Sequence, residues 1–282
     1  RTPRIIERLN STGQYAKHDF LLRCPTCHAY LPRFQSPRLD DIDDILIEDK
    51  NPDVYFFDRV TPATLELARN YREAGALIFF EPSNLKQIDK LEEAICLSHI
   101  LKYAGREMAE NPEDIKDDHF IGKIKSYGPT LIIKTLGKYG LLFRSVGDSK
   151  WHYQESFKLN ELCDTCGAGD WCTVGFLFYL EELATKNNIS LIETLKSNYL
   201  INSALSFAQI LASLSCRFVG ARGLSYSMDQ KKIIRTVRCC MKKNSDINLF
   251  INKNLGKKNS QIITKIRKKM DKSYACPTCL LT

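Results

Sequence analysis

Short apolar runs alternate along this chain with stretches whose apolar positions recur every third or fourth residue. Val54-Tyr55-Phe56-Phe57, Ala76-Leu77-Ile78-Phe79-Phe80 and the run from Thr130 to Gly137 read as buried strands. Between the first two, Pro62 to Ala74 reads as a helix, opened by Thr61-Pro62 and closed by Gly75. Leu39 to Asp49 predicts an acidic helix. Leu85 to Ala94 is amphipathic, and Ile95 to Lys102 is apolar again. Gly140 to Arg144 predicts a strand returning antiparallel from the glycine turn before it. Thr173 to Ala184 and Ile201 to Cys216 predict long helices, the second rich in small and apolar residues. Nearer the start, Arg1 to Leu9 and His18 to Arg23 predict short strands. Strands and helices alternating at this spacing predict an α/β fold with a parallel sheet covered on both faces. There is no internal repeat and no low-complexity linker, and the segment after Met228 reads as an appendage.

A chain of 282 residues can bury a full core, which predicts one large α/β domain with small additions. No apolar run is long enough to span a membrane and no signal-peptide pattern is visible, so a cytoplasmic protein is expected. The chain starts at Arg1 rather than Met, which leaves room for an upstream portion. The net charge of +8 is unevenly spread: Lys231, Lys232, Arg235, Arg238, Lys242 and Lys243 begin a basic segment with few acids. Such a segment binds nucleic acid or another anionic partner, or is the solvated face of a lysine-rich helix. No nucleic-acid-binding motif accompanies it, so the solvated face is the expectation.

Eleven cysteines without secretory features speak for metal or structural thiols rather than a disulfide scaffold. Cys24-Pro25-Thr26-Cys27 and Cys276-Pro277-Thr278-Cys279 repeat one tetrapeptide near the two ends. Two such knuckles supply the four thiolates of a tetrahedral Zn²⁺ site, which would tie the chain ends together and leave no open position for catalysis. Two unrelated turns with free thiols, or a redox pair, are the alternatives. Cys163 and Cys166 share the spacing but read as packing residues of the turn between them, and Cys96, Cys172 and Cys216 as core.

The candidate chemistry lies in Asp164-Thr165-Cys166-Gly167-Ala168-Gly169-Asp170, which runs into Trp171-Cys172-Thr173-Val174-Gly175-Phe176-Leu177. This is a tight glycine turn opening an apolar helix, with a carboxylate at the helix start. Helix N-termini offer unpaired N–H groups and the positive end of a dipole, so they hold anions, and glycines let a phosphate approach the backbone. Asp170 then stands where a base could take a proton from a hydroxyl attacking a held phosphoryl group. As a mere helix cap it would contribute about 1 kcal/mol.

The segment resembles the second signature of the ribokinase-like (pfkB) carbohydrate kinases, Asp-Thr-x-Gly-Ala-Gly-Asp followed by a small-residue helix. The element order over about Asp53 to Leu224 resembles the C-terminal two thirds of that fold. The resemblance implies a three-layer α/β/α architecture with a mainly parallel sheet and an active site at the carboxyl ends of its strands. It implies ATP and Mg²⁺ as cofactors and a small-molecule alcohol, a sugar or nucleoside, as substrate. Asp170 would be the general base, and the backbone of Gly167, Ala168 and Gly169 the anion hole. Thr135-Leu136-Gly137-Lys138-Tyr139-Gly140 resembles the family's Thr-Leu-Gly-x-x-Gly turn, which puts Thr135, Gly137 and Gly140 beside the nucleotide. Gly220 and Ala221 resemble the Gly-Ala pair beside the adenine, and Glu81 stands where the family often faces a polar residue to the phosphates. Glu107 matches the glutamate of an Asn-x-x-Glu motif that helps to hold Mg²⁺ through water.

Two features depart from the family. Ala104 replaces the asparagine of that motif, and no Gly-Gly-Asn region, substrate-binding aspartate or β-lid is found before Asp53. Either the substrate region lies upstream, or a second copy or partner subunit supplies it, or the chain is a kinase-like regulatory or binding subunit. The expected organisation is an N-terminal knuckle segment (1–52), a kinase core (53–228) and a basic extension with the second knuckle (229–282).

Overall fold

A computed structural model describes residues 6–8, 19–21, 23, 27–30, 35–49, 51–82, 91–105, 128–159 and 162–243. The chain divides into two compact units. One comprises Ser36–Ser156 and Leu177–Ser206, the other Arg1–Gln35, Phe157–Phe176 and Phe207–Thr282.

The first of these units holds a six-stranded sheet. Its strands are β3 (Val54–Phe57), β4 (Leu77–Phe80), β5 (Ile100–Ala104), β6 (Leu131–Thr135), β7 (Leu141–Ser145) and β8 (His152–Gln154), side by side in chain order. β3 to β6 are parallel, while β7 and β8 are antiparallel to their neighbours. In the register, Leu101 stands beside Ile132 and Tyr103 beside Lys134. Ile78, Phe80, Leu101 and Ile132 on one face join a core with residues of helices α1 (Ile42–Glu48), α2 (Pro62–Glu73) and α3 (Glu92–Leu97). Phe79, Ile100, Leu131, Ile133 and Phe143 alternate with them and are equally buried. Burial on both sides accounts for strands that read as unbroken apolar runs.

The start of α2 is as the sequence predicts. The Thr61 hydroxyl accepts from the Thr64 N–H at 3.2 Å, the Thr64 hydroxyl accepts from the Thr61 N–H at 2.9 Å, and Pro62 occupies the first turn. Gly75, at φ +93°, follows the helix end. The apolar stretch Ile95 to Lys102 is divided. Ile95 and Leu97 end α3, Ser98 turns the chain with its hydroxyl on the Ile95 carbonyl at 2.8 Å, and the strand begins at Ile100.

His99, in that turn, is buried, and its Nδ1 accepts the Ile78 N–H at 3.0 Å. Burial, with the Arg72 guanidinium as a second cause, holds its pKa down to about 4. The unfolded chain takes up this proton below about 6.5 and the folded chain only near 4. Stability is therefore full at neutral pH and falls as pH drops through that window. His99→Asn, which keeps an acceptor but cannot titrate, should flatten the decline of Tm between pH 7 and 4.5. Equal slopes in thermal melts of the two proteins would refute this.

The second unit contains the antiparallel pair β1 (Ile6–Arg8) and β2 (Asp19–Leu21). α4 (Ala168–Asn187) begins in this unit and α6 (Asn198–Ser215) ends in it. A Cβ on Gly175 would stand 3.1 Å from the Ala208 Cα, so the missing side chain lets the two helices approach. α4 starts earlier and ends later than the apolar run Thr173 to Ala184. A short α5 (Leu191–Thr194) precedes α6, and α7 (Gly223–Ser227) and α8 (Gln230–Lys243) follow it. α8 buries Ile233, Val237 and Cys240 and exposes Lys231, Lys232, Arg235, Arg238 and Lys242, an amphipathic helix with a basic outer face. No helix among the described residues is long and apolar enough to cross a membrane.

Candidate functional site

Asp164 is buried, and both its oxygens accept backbone N–H groups. Oδ1 takes that of Cys166 at 2.9 Å and Oδ2 that of Gly220 at 2.7 Å. A buried carboxylate needs such partners, and here they pin the start of the glycine turn to a loop far along the chain. Behind it, the Cys163 and Asp164 N–H groups both donate to the Cys216 carbonyl, at 2.8 and 3.2 Å. Burial pushes the Cys216 thiol up to about 11, so it stays protonated and packs as core.

Gly167 has φ +76°, and a Cβ there would lie 2.8 Å from the Ala221 Cα. Only glycine fits, on conformation and on space. The Ala168 N–H donates to the Thr165 carbonyl at 3.1 Å, and the Trp171 N–H donates to the Gly167 carbonyl at 2.9 Å, closing the first turn of α4. Asp170 lies in that turn and is exposed. An exposed carboxylate at a helix N-terminus beside a glycine turn can meet both an anion and the alcohol that attacks it. Gly220, at φ +82°, has nothing within 4 Å of where a side chain would begin.

The unit with the large sheet carries the second group of candidate residues. Thr135 ends β6, and its hydroxyl reaches toward the Tyr103 carbonyl at 3.4 Å. Gly137 to Tyr139 form a short 3-10 turn, closed by the Leu136 N–H on the Gly140 carbonyl at 2.7 Å. Gly137 is exposed, at φ +58°, with open space where a Cβ would be. Gly140, at φ +99°, lies against the backbone of Gln154 to Ser156. At the same carboxyl ends, Glu81 follows β4 and forms an ion pair with Lys102 of β5, whose side chain is only 3% exposed. Lys134 of β6 is buried too, next to Tyr103 in the register, with Nζ 6.0 Å from the centre of that ring.

The structure thus brings Gly167, Ala168, Gly169 and Asp170 together with Gly220 and Ala221 in one unit, and Thr135, Gly137 and Gly140 together in the other. Ala104 ends β5. Glu107, Cys24, Cys276 and Cys279 lie outside the described residues, and Cys27 is exposed. Among the described residues, no group of three or more His, Cys, Asp or Glu side chains could hold a metal ion. The sequence reading passed over Lys102 and Lys134. A lysine within an apolar run was the available signal, since such a charge is buried only with a partner.

No family model matches this chain, and none of the curated proteins does. Solved structures do. Fructokinase with bound ATP from Xylella fastidiosa superposes with a TM-score of 0.59 at 16% identity, over 81% of this chain and 71% of that one. Ribokinase from Giardia lamblia gives 0.57 at 19% identity, over 71% of this chain and 63% of that one. Arabidopsis thaliana ribokinase complexed with ribose and ATP gives 0.52 at 21% identity, over 73% and 61%. The chain spans less than two thirds of the length of either ribokinase. At these identities the likeness is one of architecture, and it agrees with the strand order described above: the chain has the ribokinase-like α/β fold, a mostly parallel six-stranded sheet with helices.

Proposed function

We propose that this chain is an ATP-dependent phosphotransferase acting on a hydroxyl of a sugar or nucleoside-like small molecule. The observation that carries the reading is the glycine turn at the start of α4, with Asp170 exposed in its first turn and Asp164 pinning it to the Gly220 loop. Gly220 and Ala221, and the Thr135, Gly137 and Gly140 turn, are the proposed nucleotide contacts. In each unit taken by itself the glycine leaves room for a ligand, since a side chain begun at Gly137, or at Gly220, would meet nothing within 4 Å. Bound ATP would supply the γ-phosphoryl group.

In this reading the Asp170 carboxylate takes the proton of the substrate hydroxyl while that oxygen bonds to the γ-phosphorus and the bridging oxygen departs with ADP. The backbone N–H groups of residues 167–169 are the proposed donors to the phosphoryl oxygens, that of Ala168 exchanging its bond to the Thr165 carbonyl for one to the ligand. Mg²⁺ asks the protein for only one or two carboxylates, the rest of its shell being phosphate and water. Glu107 is the residue proposed for it, and Ala104 offers no side-chain oxygen.

The test is Mg²⁺-ATP binding by calorimetry, followed by phosphoryl transfer to a panel of sugars and nucleosides, with wild type and Asp170→Asn. Binding by both with turnover only by the wild type is expected. A folded wild-type chain that binds no ATP would end this reading. The alternative, a kinase-like binding subunit, is favoured by Ala104 and predicts binding without turnover in either protein. We also propose Cys24, Cys27, Cys276 and Cys279 as a structural Zn²⁺ set. About one zinc per purified chain is expected, and a metal-free folded protein would dismiss it.

A further inference from the structure

Trp171, one of two tryptophans in the chain, follows Asp170 in the first turn of α4. Its indole Nε1–H donates to the Ala221 carbonyl at 2.8 Å, while its backbone N–H donates to the Gly167 carbonyl at 2.9 Å. One residue therefore bonds the glycine turn through its main chain and the Gly220 loop through its side chain. Asp164 holds the N–H of Gly220. Trp171 holds the C=O of the next residue. Between these tethers lie the Cα of Gly220, at φ +82°, where a side chain would meet nothing within 4 Å, and the Gly220 carbonyl, which accepts the Gly223 N–H at 2.9 Å. A left-handed glycine keeps one conformation only while the chain around it is held, and Trp171 adds the hold one peptide beyond Gly220. A helix start needs no indole, since any good helix former closes the turn. The side chain is accounted for by the bond it makes to the loop.

We propose that Trp171 is a positioning residue, clamping Ala221 so that the Gly220 loop keeps one conformation against the glycine turn and a nucleoside triphosphate meets a loop already in place. This rests on the nucleotide reading of the site, but the clamp itself can be tested without it. Trp171→Phe keeps an aromatic ring and removes the N–H. One neutral hydrogen bond is worth about 1 kcal/mol, or roughly a fivefold change in an equilibrium. Arg222 is exposed in this loop, so native-state trypsin cleavage after it should accelerate by about that factor. KM for ATP should rise about fivefold with kcat within twofold, because a lost preorganisation is paid on binding.

Faster cleavage with an unchanged KM would overturn the positioning role and leave a structural bond only. Unchanged cleavage would overturn the clamp. If the wild type binds no ATP, the nucleotide reading fails, while cleavage still decides the clamp. Should the variant not fold, the wild type answers by NMR. A clamped Trp171 indole proton exchanges at least about tenfold more slowly than that of free tryptophan, and free exchange would sink the proposal.

Discussion

Asp170→Asn should lower kcat by about a thousandfold, within the range that general bases contribute, while ATP still binds. Asparagine is nearly isosteric, so nothing at the helix start is displaced. The loss of the carboxylate's favourable interaction with the helix dipole is worth at most about 1 kcal/mol on an exposed first turn. What asparagine cannot do is accept the substrate proton. The signature of this role is thus a fall in kcat with KM for ATP changed only a few-fold and Tm nearly unmoved. Steady-state kinetics beside a thermal melt separate the cases. A variant retaining more than a tenth of wild-type kcat would remove Asp170 from the chemistry and return it to helix capping.

The largest loss of stability should come from Gly140→Ala. At φ +99° any side chain is strained, and a Cβ would overlap the Gln154 carbonyl oxygen and stand 2.6 Å from the Ser156 nitrogen. Those are backbone atoms that cannot rotate away. They belong to β8 and the residues after it, the edge of the sheet. The cost should reach about 4 kcal/mol or more, lowering Tm by roughly 10 °C or more. Gly137→Ala is the control. Its φ of +58° is also left-handed, but nothing lies within 4 Å of the new methyl, so about 1 kcal/mol is expected. Similar melting temperatures for the two variants would show that the sheet edge yields to Gly140, against this account.

How much of this could be read from the sequence depended on how local each interaction is. The turn from Asp164 to Asp170 was legible because its residues are neighbours, a glycine turn and a helix start, while the bonds of the Asp164 carboxylate to Cys166 and Gly220 came only with the structure. The Thr61 cap and the parallel strands were legible for the same reason. β8 was not, because His152-Tyr153-Gln154 is an edge strand with no apolar run, held by pairing with β7. The apolar run from Thr173 by itself begins α4 too late. Gly169 is a poor helix former, yet the bonds around it carry the helix back to Ala168. The ion pair of Glu81 with Lys102, and the bond of Trp171 to Ala221, join residues far apart in the chain. No pattern of neighbours announces them.

The link between Asp164 and Gly220 spans 56 residues, and this sets an order of events during synthesis. At about 5–20 residues per second, a ribosome finishes the signature seconds before its partner loop has been made. Until then the second oxygen of Asp164 lacks the Gly220 N–H, and the glycine turn has no seat to close against. Newborn chains must complete this corner late, after the residues of α6 have been made. A fragment cut short of Gly220 would keep every residue of the motif and lose the place that the motif occupies.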